Sequence, residues 1–374
     1  MNVLVIGGGV IGLSIARELH IAGVRDITVA DKGTPGKEAS WAAAGMLAPN
    51  AETEGVDDFY RFCSESNDLY PNFAESLHMD TGIDVGLDLA GTLQLAFDDN
   101  EADRLLKKYR RQKDAGLPTE MLSAEEVLRL EPEISSSVIL GIYYPHDRQV
   151  DNRKLVAALL EYCRRNKISV LQDQQISSVT VESGRLTGAI GKTRRFSADL
   201  AILATGAWTS FIEIGDTGPI SVDIKPIRGQ MIAFETSDRL LKKVIYGNNC
   251  YLVPRADGRI LVGATVEDVG FEKTVTDEAV SELTTSAAEI LPETANLDIV
   301  EKWSGLRPRS TDELPIIGYV AGIDNLFIAS GHYRNGILLA PLTAKMIAEK
   351  VVQNIDSPYF SIFSPERFNV RLAV

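Results

Sequence analysis

The chain has 374 residues, enough for two domains or one large α/β unit with a substantial core. Its 38 Lys and Arg against 52 Asp and Glu leave a net charge of −14, which opposes binding to nucleic acid and to anionic membrane surfaces. No apolar run reaches the roughly 18 residues of a membrane span, and no basic region precedes the first apolar one, so a cytoplasmic protein is expected.

The first predicted strand, residues 3–6, runs straight into Gly7-Gly8-Gly9-Val10-Ile11-Gly12 and a helix over 12–22. Three of these glycines have separate physical roles. Gly7 permits the tight turn, Gly9 lets backbone approach a pyrophosphate, and Gly12 lets the helix pack closely on the strand. The helix N-terminus offers N–H groups and a positive dipole end to phosphate. A second strand, 27–31, ends in Asp31, whose carboxylate suits the ribose hydroxyls of a dinucleotide.

Residues 39–46 are rich in small side chains and are expected to pack against a flat surface. An amphipathic helix over 57–80 carries Phe59, Phe62, Leu69 and Phe73, and a charged helix follows over 100–115. Ser123 and Glu126 form a capping box. Asp151 or Asn152 caps a helix to about Asn166, followed by strands 168–171 and 176–181 and a turn at Ser183-Gly184. Leu200 to Ala204 read as a buried strand ending in a Thr205-Gly206 turn. A strand over 229–235 and a hairpin of 250–254 and 259–266 around Ala256-Asp257-Gly258 come next. The chain closes with strand 325–330, the loop 331–336 and a helix to about Val352, with Pro341 in or just after its first turn. The predicted fold class is α/β: a discontinuous Rossmann-like nucleotide domain from 1–85, 145–220 and 300–374, and an antiparallel-sheet α+β substrate domain from 86–144 and 221–299.

Cys63, Cys163 and Cys250 are widely spaced with no CxxC, and His20, His78, His146 and His332 show no ligand spacing, so disulfide, metal and dithiol chemistry lose support. The early insertion after the glycine motif and the late return at Ala204-Thr205-Gly206 match the layout of FAD proteins. With no second GxGxxG for a nicotinamide cofactor, electrons are expected to come directly from an organic substrate.

These motifs, with Ala42-Ala43-Ala44-Gly45-Met46-Leu47, Ala204-Thr205-Gly206-Ala207-Trp208, Cys250-Tyr251-Leu252-Val253-Pro254-Arg255, Gly305-Leu306-Arg307-Pro308 and Gly331-His332-Tyr333-Arg334-Asn335-Gly336-Ile337-Leu338-Leu339-Ala340-Pro341, resemble the D-amino-acid oxidase superfamily of FAD enzymes over nearly the whole chain, and its glycine-oxidising members most. The resemblance implies non-covalent FAD and oxidative deamination. A hydride would pass from the α-carbon to flavin N5, the imine would hydrolyse, and oxygen would reoxidise the flavin to give hydrogen peroxide. It makes Arg307 the carboxylate clamp, Tyr251 a hydroxyl donor to the same group and Arg334 a further substrate contact. It implies FAD contacts at Gly7, Gly9, Val10, Ile11, Gly12, Asp31 and Lys32, at Ala39, Ser40, Ala44, Gly45 and Met46, at Val179 through its backbone on the adenine side, and along His332, Tyr333, Arg334, Asn335, Gly336, Ile337 and Leu338. The substrates implied are glycine and small amines such as sarcosine and D-alanine, with oxygen as acceptor, supply of the imine for the thiazole of thiamine, and a homotetramer. Asn249 stands where the glycine-oxidising pattern has histidine, and Val266 where it has methionine. Alternatives are a D-amino-acid or sarcosine dehydrogenase using another acceptor, a tRNA-modifying flavoprotein, and a silent FAD-binding subunit; the negative charge weighs against the tRNA partner.

Overall fold

The computed structural model describes residues 1–215, 218–220 and 222–368. Residues 216, 217 and 221, at the expected domain boundary, and 369–374, at the end of the last segment, lie outside them.

A six-stranded sheet runs in the order Ile316–Tyr319, Leu326–Ser330, Leu200–Leu203, Asn2–Ile6, Asp26–Ala30, Ser169–Leu171. All neighbours are parallel except the first pair. Strand periodicity splits its side chains between two cores. Val3 and Val5 face helices Val10–Ile21, Asp58–Thr81, Asn152–Arg165 and Gly336–Gln353, whereas Leu4 and Ile6 face a small second sheet formed by Ile176–Glu182, Arg185–Gly191, Arg195–Ser197 and Glu213–Ile214. The first helix begins at Val10, two residues before its predicted start. Asp57 caps the long helix through Tyr60 N–H at 2.7 Å, and Gly82 ends it at φ 75°.

Pro341 sits in the second turn of the last helix, just after the first, within the expected range. It cannot donate to the Ile337 carbonyl, and the Tyr70 hydroxyl takes that acceptor instead, while Ser66 Oγ donates to Leu338 O at 2.7 Å. The long helix thus repairs the defect and fixes the direction in which the last helix points its N-terminus.

The second large sheet has eight strands in the order Ile299–Ser310, Ile224–Glu235, Arg259–Gly263, Cys250–Pro254, Val244–Gly247, Thr92–Ala96, Leu140–Tyr144, Glu120–Ser123. Cys250 and Leu252 face helix Asp277–Ile290, and Tyr251 and Val253 turn the other way, toward the nucleotide-type sheet. Two expectations need correction. Strand Ile299–Ser310, expected with the nucleotide segments, is an edge of this second sheet, paired along its length with Ile224–Glu235. The hairpin strand expected to reach Val266 ends at Gly263. Both follow from pairing between segments far apart in sequence, which period-2 patterning does not reveal.

Candidate active site

Between the two large sheets lies a cavity of about 1040 Å³. Its nucleotide-side wall is made mainly of backbone. Gly7 has φ +110°, and a Cβ there would lie 2.3 Å from the Ala204 carbonyl oxygen; a Cβ at Gly12 would lie 2.0 Å from Gly7 O. Nothing larger lets the helix start this close to the strands. Gly12 therefore holds the turn shut and does not line the cavity, whereas Gly7, Gly9, Val10 and Ile11 do. Asp31 follows directly on its strand. Its two oxygens accept Gly8 N–H at 2.7 Å and Gly33 N–H at 2.9 Å, which fixes the carboxylate at the cavity edge with acceptor capacity left over. Lys32 pairs with Glu38 at 2.6 Å, and its ammonium stands 3.9 Å from the centre of the Trp208 ring.

The small-residue segment 39–46 forms the short helix Ala39–Ala42 and the strand Met46–Leu47. Ser40 Oγ accepts Val10 N–H at 2.9 Å. The segment is riveted from behind by residues to which the sequence assigned no role at the site, although Arg255 ends one of the quoted motifs. Asn152 Nδ2 donates to Ser40 O and Trp41 O, and Trp303 Nε1 donates to Ala42 O at 3.0 Å. Arg255 is buried and spans Ala44 O, Val150 O, Gln149 Oε1 and Asn152 Oδ1 at 2.7–3.1 Å. Burial lowers its pKa to about 10, which still leaves it cationic. It ends the Cys250–Arg255 motif, where Tyr251 alone was given a role.

The loop 331–335 crosses between the two walls. Gly331 has φ 71° and Tyr333 φ 46°, a left-handed conformation uncommon for a side chain of that size. Tyr333 N–H is tied to Pro308 O at 3.1 Å and Asn335 N–H to His332 O at 2.9 Å. His332, Tyr333, Arg334, Asn335, Gly336 and Ile337 all line the cavity. The His332 ring itself turns inward, with Nε2 3.3 Å from Thr343 Oγ1, and burial lowers its pKa to about 3. It is a neutral anchor of the loop.

Besides Gly12, two further expected cofactor contacts do not line the cavity. Val179 is fully buried in the core beneath the small sheet, paired with Ala189, and the cavity there is lined by Gln174, Gln175, Ile176 and Ser177 instead. Leu338 is buried in the helical core. For Leu338 a run of apolar residues offered no local mark of where the core stops and the cavity starts, and for Val179 the strand pattern does not show which end reaches the cavity.

The opposite wall presents side chains. Strand alternation and the register Gly229↔Gly305, Ile227↔Arg307 bring Arg307 over Gly229, where a Cβ would lie 2.2 Å from the guanidinium. A Cβ on Gly263 would lie 2.7 Å from the Tyr251 hydroxyl. The two glycines are the floor on which the Arg307 and Tyr251 side chains lie. Arg307 Nη1 donates to Thr265 O at 3.0 Å. Among the described residues no carboxylate forms an ion pair with Arg307 or Arg334, although the chain is strongly acidic. Arg309 reaches Glu313 at 4.0 Å and does not line the cavity. Burial raises the Tyr251 pKa, with Arg307 pulling it back, so the hydroxyl keeps its proton and can donate. Burial works against the Arg334 charge, but Tyr333 and Glu52 outweigh it and raise its pKa. Asn249 and Val266 both line the cavity, as does Tyr246, whose ring is 5.8 Å from that of Tyr251.

The wall of glycine turn, Asp31 and helix N-terminus fits a flavin dinucleotide: Gly7 and Gly9 line the cavity as bare backbone, beside the start of helix Val10–Ile21 and the Asp31 carboxylate. A family model described as FAD dependent oxidoreductase (DAO) matches residues 2–350. Glycine oxidase from Geobacillus kaustophilus is 34% identical over 353 residues, 94% of this chain and 92% of that protein. The bifunctional protein ThiO/ThiG of Trichormus variabilis is 35% identical over 372 residues, 98% of this chain and 55% of that protein, so the chain spans about half the length of that relative. The crystal structure of the Geobacillus kaustophilus glycine oxidase superposes with a TM-score of 0.90 at 31% identity, covering 100% of this chain and 99% of that one. The chain belongs to the DAO family of FAD-dependent oxidoreductases.

Proposed function

We propose that this protein is an oxidase of glycine and of small amines such as sarcosine and D-alanine, using non-covalently held FAD and oxygen, and that its imine product serves the thiazole of thiamine. The observation that carries this reading is the two guanidiniums, Arg307 and Arg334, that have no ion-pair carboxylate among the described residues, in a cavity whose other wall is a dinucleotide cradle. The relatives named glycine oxidase and ThiO/ThiG support the substrate and the thiamine connection. The same reading takes the protein as a cytoplasmic homotetramer.

FAD bound along the glycine turn supplies the hydride acceptor, and oxygen takes the electrons onward. The chain's part is to place the substrate. Arg307 offers two parallel N–H donors to a carboxylate, which fixes the position of the α-carbon, and the protonated Tyr251 hydroxyl adds a third donor. His332 is neutral and engaged with Thr343, so the loop provides no base; the amine enters already neutral and the α C–H leaves as hydride. Water then releases ammonia, or the amine, from the imine.

The test is anaerobic mixing of the yellow protein with glycine, sarcosine and D-alanine in turn, then air, while following the flavin band and peroxide. Bleaching with rapid recovery and peroxide is expected. Bleaching that does not recover in air would replace the oxidase by a dehydrogenase, and no bleaching by any of the three would overturn the substrate class.

A further inference from the structure

The strand Arg259–Gly263 stops at Gly263, but the chain beyond it pairs once more with Ile224–Glu235. Arg228 N–H donates to Glu267 O at 2.9 Å, and Glu267 N–H to Arg228 O at 3.0 Å. Two residues further along each strand, an antiparallel ladder places the next exchanging pair, Gln230 with Thr265. Thr265 N–H makes its half, donating to Gln230 O at 3.4 Å. The other half is altered: Gln230 N–H donates to the Thr265 hydroxyl at 2.9 Å. That hydroxyl donates in turn to Glu267 Oε1. Glu267 also accepts Gln230 Nε2 at 2.8 Å and pairs with the buried Arg228 guanidinium. Burial works against its charge, but the hydrogen bonds from Arg228, Thr265 and Gln230 outweigh it and lower its pKa. The Thr265 carbonyl is thus left out of the ladder, and Arg307 Nη1 donates to it at 3.0 Å.

We propose that Thr265 is a positioning residue for the reaction: its hydroxyl replaces its carbonyl in the sheet, so that the carbonyl can hold the Arg307 guanidinium for the substrate carboxylate. The inference rests on the carboxylate role of Arg307 proposed above. Gly229 gives the guanidinium room, and the Thr265 carbonyl gives it a fixed partner. A long arginine side chain that is free to rotate must be ordered when the substrate binds, and that ordering weakens binding. A carbonyl suits the task. It is neutral, it takes one N–H, and it leaves the charge and the other donors for the ligand. Glu267, two residues on, directs its own charge to Arg228 instead.

Thr265→Val keeps the branched shape and removes the hydroxyl, so the carbonyl should return to Gln230 N–H and release Arg307. Thr265→Ser keeps the hydroxyl. Acetate is the probe, titrated into the FAD-loaded protein while following the flavin band, and kcat/KM for glycine is the second readout. Thr265→Val should weaken acetate about tenfold and lower kcat/KM by about as much, with unchanged flavin content. Thr265→Ser should stay within about twofold of the wild type. Added to Arg307→Ala, Thr265→Val should lower kcat/KM no more than about another twofold, because the group it positions is gone. Thr265→Ala allows the same comparisons if the valine protein does not fold. Unchanged acetate affinity and kcat/KM in Thr265→Val overturn the inference. So does a loss that Thr265→Ser shares, or one that persists in full beside Arg307→Ala. If Arg307→Ala binds acetate as tightly as the wild type, or acetate leaves the wild-type flavin band unmoved, the carboxylate role of Arg307 fails and the inference falls with it.

Discussion

The cavity's two walls were assembled in different ways. The nucleotide-side wall comes from contiguous sequence: a strand, a glycine turn and a helix N-terminus within residues 2–21, with Asp31 soon after, offering backbone N–H groups and closed at glycines where a Cβ would lie 2.0–2.3 Å from a backbone oxygen. The substrate-side wall is a set of side chains from separate strands, Arg307 from Ile299–Ser310 and Tyr251 from Cys250–Pro254, brought together by register and given room by Gly229 and Gly263. A wall of backbone tolerates few substitutions because its atoms cannot move aside. A wall of side chains can be altered piece by piece, and that is where selectivity can be changed without losing the cofactor.

Substitutions on the two walls should therefore fail differently. The largest effect is expected from Gly7→Ala, whose methyl meets a backbone carbonyl at a φ reserved for glycine; the protein should purify without flavin, read as the ratio of flavin to protein absorbance. A fully yellow Gly7→Ala protein would break the contrast. Arg307→Ala should keep its flavin yet lose about 30-fold to several thousand-fold in kcat/KM for glycine, since truncating one partner of a buried charge pair costs about 2–5 kcal/mol. Gly229→Ala is milder because its methyl meets the end of a mobile guanidinium. A loss of about tenfold in kcat/KM with unchanged flavin content is expected, and an equal loss of flavin would show that the walls are not independent.

The smallest effect concerns pH. Burial raises the Asp147 pKa from 3.8 to about 7, against the pull of its Asn50 and Ala51 donors. The folded chain then binds a proton that the unfolded chain has released, so this contribution to stability is full below about pH 4 and declines as pH rises through about 7. Asp147→Asn removes the titration. Its Tm should vary less between pH 5 and 8 than that of the wild type, with no change in flavin content, because Asp147 fastens the turn at Asn50 and Ala51 and lies away from the cradle.

The same contrast decides what the sequence revealed. The glycine turn, Asp31, the buried strand before Thr205-Gly206 and the loop after Ser330 carry their meaning locally, in φ requirements and in the switch from period 2 to 3.6. Arg307 was visible through its motif, but its bed on Gly229 depends on pairing two strands about 80 residues apart, which no local pattern encodes. The same blindness placed Ile299–Ser310 with the wrong sheet. Val179 was misplaced for the opposite reason: Ile176, Val179 and Val181 are all apolar strand residues, and only the fold shows that the cavity touches this strand at its beginning.

Arg255 adds a consequence for the order of assembly. Its four acceptors lie 103 to 211 residues away along the chain, so the alanine-rich segment gains its rivet only after three distant stretches have converged. The wall nearest the cofactor is thereby among the last parts to become rigid, and a newly made chain reaches a mature cradle only when the substrate sheet has already docked.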